Sequence, residues 1–555
     1  MKKGGFLVFI GLLAFLGLVF YQPLFSVLRR GLTEGGRWSL SPLATILTDS
    51  YFVHIIVFSL KQAALSTLLS LGIGLPGAYL LTRYSFPGKS AIRSLTVVPF
   101  VLPAVVVALG FILFFGESGW LNQWLMSVFH LPSPPLHILY SLTGIVLAHA
   151  FYNAPIVMRL VNASWEGIDP EIEEAAASLG AGGLRRFVGI TIPLLTPALL
   201  SSAALVFIFS FLSFPIVLTL GGARYATIEV GIYTLIRTLL DYKLGSALIL
   251  VETALSLSLT YVYLKAEGGF ATLTQGSRRV ATYPLFSRKA SMCKMVIAAY
   301  IIIAAVFFLG PISSVLVDSL RVRGQWSVES YRQIFTLGYN PFLGVSPLRT
   351  ILNSLFIAGI STAISLPVGT LIAMFAVRSH LPGRRLLEAI LMAPLAVSSV
   401  AIGFAVLYGL GGAPLHLSGT LIAIALAHAI LTYPFVVRVI RPVLEGLDQS
   451  LVEAARSLGA SPIRAFFEVI LPLIGPGILV AAVFGFALSI GEMSATIMLM
   501  RPGLGTMPIA VYSLLSARQF GAASAMGMIL VVVAGIAFLV IDRLGKRGVG
   551  CRTLW

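Results

Sequence analysis

Apolar runs of about twenty residues recur along the whole length of this 555-residue chain, and they constrain its fold more than any other feature. A helix of roughly 20 apolar residues is what it takes to cross about 30 Å of hydrocarbon. Only 11% of the residues are charged and 58% are hydrophobic, too few polar groups to cover a soluble core of this size. The chain reads as an all-α, multi-pass integral membrane protein.

Twelve spans are predicted. Six lie near 6–28, 55–82, 92–115, 138–160, 190–218 and 245–264, and six near 295–319, 351–377, 386–410, 417–440, 470–498 and 520–542. Prolines inside them, such as Pro99, Pro155, Pro394 and Pro434, are tolerable where neighbouring helices satisfy the freed backbone groups. The run after Met1-Lys2-Lys3 is too long for a signal peptide and is read as a retained span. The net charge of +17 invites a nucleic-acid reading, but the basic residues lie in short clusters between spans rather than on one face. With the N-terminus in the cytoplasm, 25 of the 38 Lys and Arg fall on the inner side, as membrane orientation requires. Both termini are therefore expected inside, with lipid and not nucleic acid as the surrounding partner.

The chain also repeats itself. Between 174–197 and 453–476, 12 of 24 positions are identical, and the same offset of 279 matches His149 to His428, Pro155 to Pro434 and Arg159 to Arg438. Upstream the offset is 295, which leaves the first half with about 16 extra residues around 116–137. The expected organisation is a first repeat at 1–266, a basic cytoplasmic linker at 267–292 and a second repeat at 293–555. Six spans per repeat is an even number, so the two repeats run parallel and their matching loops share one side.

The strongest match is the polar stretch EGIDPEIEEAAASLGAGGLRRFVGITIPL and its twin EGLDQSLVEAARSLGASPIRAFFEVILPL. Asp169 and Asp448 suit helix N-caps, since a carboxylate accepts hydrogen bonds from the first turn. Pro170 fits a first helical position, and Glu171, Glu173 and Glu174 favour the positive end of the helix dipole. Ala175 and Ala176, like Ala454 and Ala455, form helix with little bulk. Gly180 and Gly459 then end or bend it, and a turn containing Arg185 or Arg464 leads to Pro193 or Pro472 and the next span. Two matched water-compatible helices on one side suit a protein partner that itself comes in two copies.

Glu-Ala-Ala, three residues, Gly, nine residues and Ile/Val-x-Ile/Leu-Pro resembles the EAA loop of permeases of binding-protein-dependent ABC importers. The matching residues are Glu174, Ala175, Ala176, Gly180, Ile190 and Pro193, then Glu453, Ala454, Ala455, Gly459, Val469 and Pro472. The resemblance spans the whole chain as two fused permease units and implies the type I ABC importer permease fold. It implies that each EAA helix, with Arg185 or Arg464 beside it, couples to one subunit of a homodimeric ABC ATPase. ATP-Mg would then sit on that partner, and an extracytoplasmic binding protein would deliver substrate across a prokaryotic inner membrane. The stretches FPIVLTLGGARYATIEVGIYTL and MLMRPGLGTMPIAVYSL are similar to those of the iron(III) and thiamine importer group, the first being closer to thiamine-type permeases.

No cofactor is expected on this chain. Gly88-Lys89-Ser90 looks like the end of a phosphate-binding loop but lacks the leading glycine and a preceding strand. Cys293 and Cys551 show no ligand spacing, and no nucleophile–base set suggests an enzyme. For the substrate path the candidates are Glu252, Glu492 and the counterpart of Glu492, Ser213, since polar groups within spans mark pathways. An ion-coupled secondary transporter with parallel repeats is the alternative, and it would depend on those two carboxylates.

Overall fold

The computed structural model describes residues 3–86, 89, 93, 102–222, 224–270, 283–284, 291–322, 324–378, 383–412 and 416–547. Among these, eleven helices are long and apolar enough to cross a membrane. They match ten of the twelve expected spans and, from Ala104 on, part of the one at 92–115, whose positions 92 and 94–101 lie outside the described residues. The remaining one, at 386–410, is broken into Arg384–Leu391, a short turn at Ala393–Ala396, and Ser399–Gly409. Pro394 cannot continue a helical ladder, and the Ser398 hydroxyl accepts from the Ala401 N–H at 3.2 Å to start a new helix. The apolar stretch Ala104–Phe129 is also two helices, Ala104–Phe115 and Trp120–Phe129, with Asn122 in the second bonding the carbonyls of Gly116 and Leu136. Most of the basic linker and Cys551 lie outside the described residues. Within the linker, Tyr283-Pro284 pairs in parallel with Tyr84-Ser85.

The chain forms two compact units that cut across its sequence halves. One gathers Met1–Pro42, Leu235–Ile249 and Ser319–Trp555, and the other gathers Leu43–Thr234 and Leu250–Asp318. The first helix of the chain thus belongs to the unit built on the second repeat. The seventh span, within Ser291–Ser319, belongs to the unit built on the first. Glycine makes these packings possible. A Cβ on Gly409 would lie 2.4 Å from Pro23, and one on Gly110 would lie 2.6 Å from the Pro311 carbonyl oxygen. Around the second contact, Tyr300 Oη donates to the Ile73 carbonyl at 2.8 Å, and Phe307 meets Phe111 and Phe151 edge-on. Hydropathy marks a helix as membrane-spanning but does not say which bundle it joins, so the sequence boundary at the linker does not predict this exchange.

Each unit has its own core next to the polar twin segments. In one, Ala78, Val157, Val161, Trp165 and Leu195 pack together. In the other, Ile372, Val436, Ile440, Leu444, Ile470 and Ile474 do so. These positions come from the second, fourth and fifth spans of each repeat, and those spans hold the ends of the twin segments in place.

Candidate functional site

The two segments share the same cap and the same closing turn. Asp169 caps Pro170–Ser178 by accepting from the Glu171 N–H at 3.0 Å, and Asp448 caps Gln449–Ser457 by accepting from the Ser450 N–H at 2.9 Å. The Asp448 carboxyl is held below the usual carboxylate range, chiefly by that backbone N–H and then by the Ser450 side chain. At the other end the chain turns left-handed at Gly180 (φ +84°) and Gly459 (φ +88°). The N–H groups of Gly180 and Ala181 donate to Ala177 and Ala176, and those of Gly459 and Ala460 to Arg456 and Ala455, all within 2.9–3.1 Å. This is the Schellman closure, in which a glycine at the left-handed position lets two bonds cross the end of the helix. A four-residue turn follows (Gly183–Arg186 and Pro462–Ala465). A single wide π-type turn (Phe187–Thr191 and Phe466–Ile470) then feeds Pro193 and Pro472 into the long spans.

Every residue singled out by the motif has the same exposure in both copies. Glu174, Ala175, Gly180, Arg185 and Pro193 are exposed, as are Glu453, Ala454, Gly459, Arg464 and Pro472, whereas Ala176 and Ala455 are half-buried. Arg464 is drawn to Glu468 at 2.8 Å on its own turn. The motif reading missed a second matched set. Ile172, Leu179, Leu184 and Val188 are exposed, and so are Leu451, Leu458, Ile463 and Phe467, their counterparts at the same offset. Leu179 and Leu458 are 88% and 89% exposed. Scattered exposed leucines need no explanation, but four matched apolar residues around a glycine bend form a surface suited to a partner. The aligned sequences show these positions to be apolar in both copies, and only their exposure marks them as a surface.

The anchoring of the two helices differs. Glu173 accepts from Arg83 at the end of the second span and from Thr191 Oγ1 at 2.8 Å, with side chains only 14% and 16% exposed for Glu173 and Arg83. Beneath it Trp165 stacks on Phe187 at 6.0 Å, and Tyr79 leans against both. In the second copy the counterpart of Glu173 is Val452, which, like Phe466, Leu447 and Met374, packs against the core that contains Leu444. The charges shift to a neighbouring place, where Arg441 pairs with Glu445 at 2.8 Å and with Glu388 at 3.6 Å.

The path candidates fall on separate elements. Ser213 lies half-buried in the break between Ile192–Phe211 and Pro215–Leu220. Glu492 occupies the equivalent break between Leu471–Gly491 and Ser494–Leu499, where its Oε1 accepts from the Ala495 N–H at 3.0 Å and caps the short helix. Glu252 is buried within Tyr242–Phe270, and Glu229, a buried carboxylate not singled out from sequence, lies in Ile228–Tyr233. His428 spans the second break, its two ring nitrogens 2.8 Å from Ser489 Oγ and from Thr496 Oγ1. His149 meets Ser66 at 3.1 Å, and Val217 stands where Thr496 does. Among the described residues, no group of His, Cys, Asp or Glu is arranged to hold a metal ion.

Known proteins share this layout. The family described as "Binding-protein-dependent transport system inner membrane component" matches residues 70–319 and again 365–549, once per repeat. The chain belongs to this family. It is 28% identical over 555 residues to the ferric transport system permease protein FbpB of Actinobacillus pleuropneumoniae, covering 98% of this chain and 79% of that one. To the thiamine transport system permease protein ThiP of Haemophilus influenzae it is 27% identical over 500 residues, covering 89% of both. The Escherichia coli ThiP is 27% identical over 514 residues, with 90% of each chain covered. A chain from a bacterial ABC transporter that imports alginate aligns with 49% of this chain and 98% of its own, at 17% identity and a TM-score of 0.41. The protein is thus a fused, multi-pass transport permease rather than an enzyme.

Proposed function

We propose that this permease forms the translocation path of an ATP-driven importer and takes its energy through the twin EAA segments. Each exposed helix, with its glycine bend and apolar quartet, fits a groove on one subunit of a homodimeric ATPase, which alone binds ATP-Mg. Substrate arrives on an extracytoplasmic binding protein, and the substrate is an iron(III) or thiamine-like solute, as the names of the relatives that match most of the chain suggest. Both chain termini face the cytoplasm of a prokaryotic inner membrane, because that arrangement puts the basic majority and both EAA segments inside.

The mechanism follows from how the segments are tied. Each helix is joined through a short turn to its fifth span and, in the first copy, through the Glu173–Arg83 pair to the second span. A displacement at the docking surface is therefore passed to spans whose far ends break at Ser213 and Glu492. Nucleotide-driven closure of the ATPases and the loaded binding protein favour the same outward-open state, and that shared preference is the coupling free energy.

The observation that carries this reading is the matching cap and glycine closure of two exposed segments 279 residues apart. Co-purification tests it, comparing the parent with the double change Gly180→Asp and Gly459→Asp. Loss of the ATPase pair from the double variant alone supports docking at these segments. Equal recovery with both forms, or uptake that follows a collapsed proton gradient while ATP is held high, would favour an ion-coupled transporter.

A further inference from the structure

Just after the first spanning helix of each repeat, the chain makes the same small hairpin. Thr33 pairs with Trp38 and Glu34 with Arg37, and likewise Arg321 pairs with Trp326 and Val322 with Gln325. Positive φ at Gly35 (+57°), Gly36 (+81°) and Gly324 (+82°) meets the demand of a tight two-residue turn. The closures also match. The Ser39 N–H donates to the Leu32 carbonyl and the Ser327 N–H to the Leu320 carbonyl, both at 2.9 Å. The hydroxyls of Ser39 and Ser327 accept from the N–H groups of Ser41 and Glu329, both at 3.1 Å, at the start of eight-residue helices. All these positions share one offset of 288 residues.

Two residue pairs give a hairpin no core of its own, yet each one leaves large apolar groups open. Trp38 and Leu40 are 70% and 68% exposed, and Trp326 and Val328 are 66% and 67% exposed. Strand register fixes their height. Trp38 sits opposite Thr33, two residues past the span Ile10–Gly31, and Trp326 sits opposite Arg321, two residues past Met295–Ser319. Facing residues in an antiparallel pair are about 5 Å apart, so each indole lies where its span leaves the hydrocarbon. The Arg321 guanidinium stands 5.0 Å above the Trp326 ring, and Arg37 adjoins Trp38.

We infer that the two hairpins are membrane-interface anchors whose partner is the phospholipid headgroup layer. Indole rings favour this depth, with an apolar body below and a polar N–H above, and arginine beside them meets lipid phosphate. Continuity with the spans selects lipid over a protein. The seventh span buries Pro311, Ser314, Val315 and Ser319 but leaves Ile302, Ile303, Val306, Leu309 and Leu316 exposed, so Trp326 and Val328 continue an exposed apolar surface suited to acyl chains. The anchors fix the depth of the two helices that the compact units exchange.

Fluorescence quenching tests this on the full chain in phosphatidylcholine vesicles. The signal of interest is the difference between the parent and the double variant Trp38→Phe/Trp326→Phe, which keeps the other four tryptophans. A nitroxide on the lipid headgroup is expected to quench that difference at least about threefold more than one at mid-chain, with aqueous acrylamide ineffective. Full access to acrylamide with no lipid quenching would overturn the inference and leave the hairpins open to a protein partner. Stronger quenching from mid-chain would also overturn it, by placing the rings in the core. Should the double variant fold poorly, Trp38→Tyr and Trp326→Tyr singly provide the same difference.

Discussion

The two EAA segments present one face and are held by two different means. Their caps, glycine bends and exposed apolar residues coincide, whereas beneath them the first relies on an ion pair over an aromatic stack and the second on aliphatic packing. A polar half-buried pair must keep both partners, because removing one leaves an uncompensated charge. An aliphatic contact loses only what is trimmed from it. Only the outward surface is duplicated, and the support beneath differs between copies; this is the pattern expected if the surface meets a two-fold partner and the support does not.

The largest effect that separates the two supports is expected from Trp165→Ala, which empties the space under Phe187 and should cost about 3 kcal/mol of stability. The matched Leu444→Ala should cost about 2 kcal/mol, and thermal unfolding in detergent measures both. Next, Glu173→Ala strands Arg83 and should cost about 2 kcal/mol, while Val452→Ala costs about 1 kcal/mol. The double change Arg83→Met with Glu173→Val, which removes both charges and places at 173 the valine that the second repeat carries at 452, should recover most of that loss. A double change as damaging as the single one would show that the pair's charge, not its burial, is what matters.

Gly180→Ala and Gly459→Ala sharpen the likeness instead. No atom lies within 4 Å of either added Cβ, so the cost is purely that of positive φ, about 1 kcal/mol at each site. Unequal costs would mean that the two bends are not equivalent. The smallest effect concerns pH. Because the folded Asp448 carboxyl sits below its unfolded value of about 4, its cap contribution is present above that value and fades as pH falls through the folded one. Hydrogen exchange of the amides in Gln449–Ser457 should quicken relative to the intrinsic rate on acidification towards pH 3, and Asp448→Asn should remove that dependence.

Much of the fold is written locally and is therefore legible from sequence. The aspartate caps and the left-handed glycines depend on residues within a turn or two of each other, and span length and the duplicated offset are read directly along the chain. The misses involve distance or geometry. Glu173 lies 90 residues from Arg83, so nothing in its neighbourhood announces the pair. The break within 386–410 depends on a serine cap beside a proline, in a window whose hydropathy is that of an unbroken span. The exchange of first helices depends on the close approaches at Gly110 and Gly409. At the site, the motif residues were readable, but the exposed quartet around Leu179 and Leu458 emerges only when burial is known. The twin hairpins escape pattern reading because two-residue strands carry no alternation.

The central claim is that the two outward faces are equivalent docking surfaces, and ATPase binding to the purified chain tests it most directly. Leu179→Asp and Leu458→Asp, both almost wholly exposed, should leave folding intact. Each alone is expected to weaken binding at least about tenfold and to a similar extent, with no binding left in the double variant. Binding that survives both changes, or that depends on one copy only, would contradict the claim.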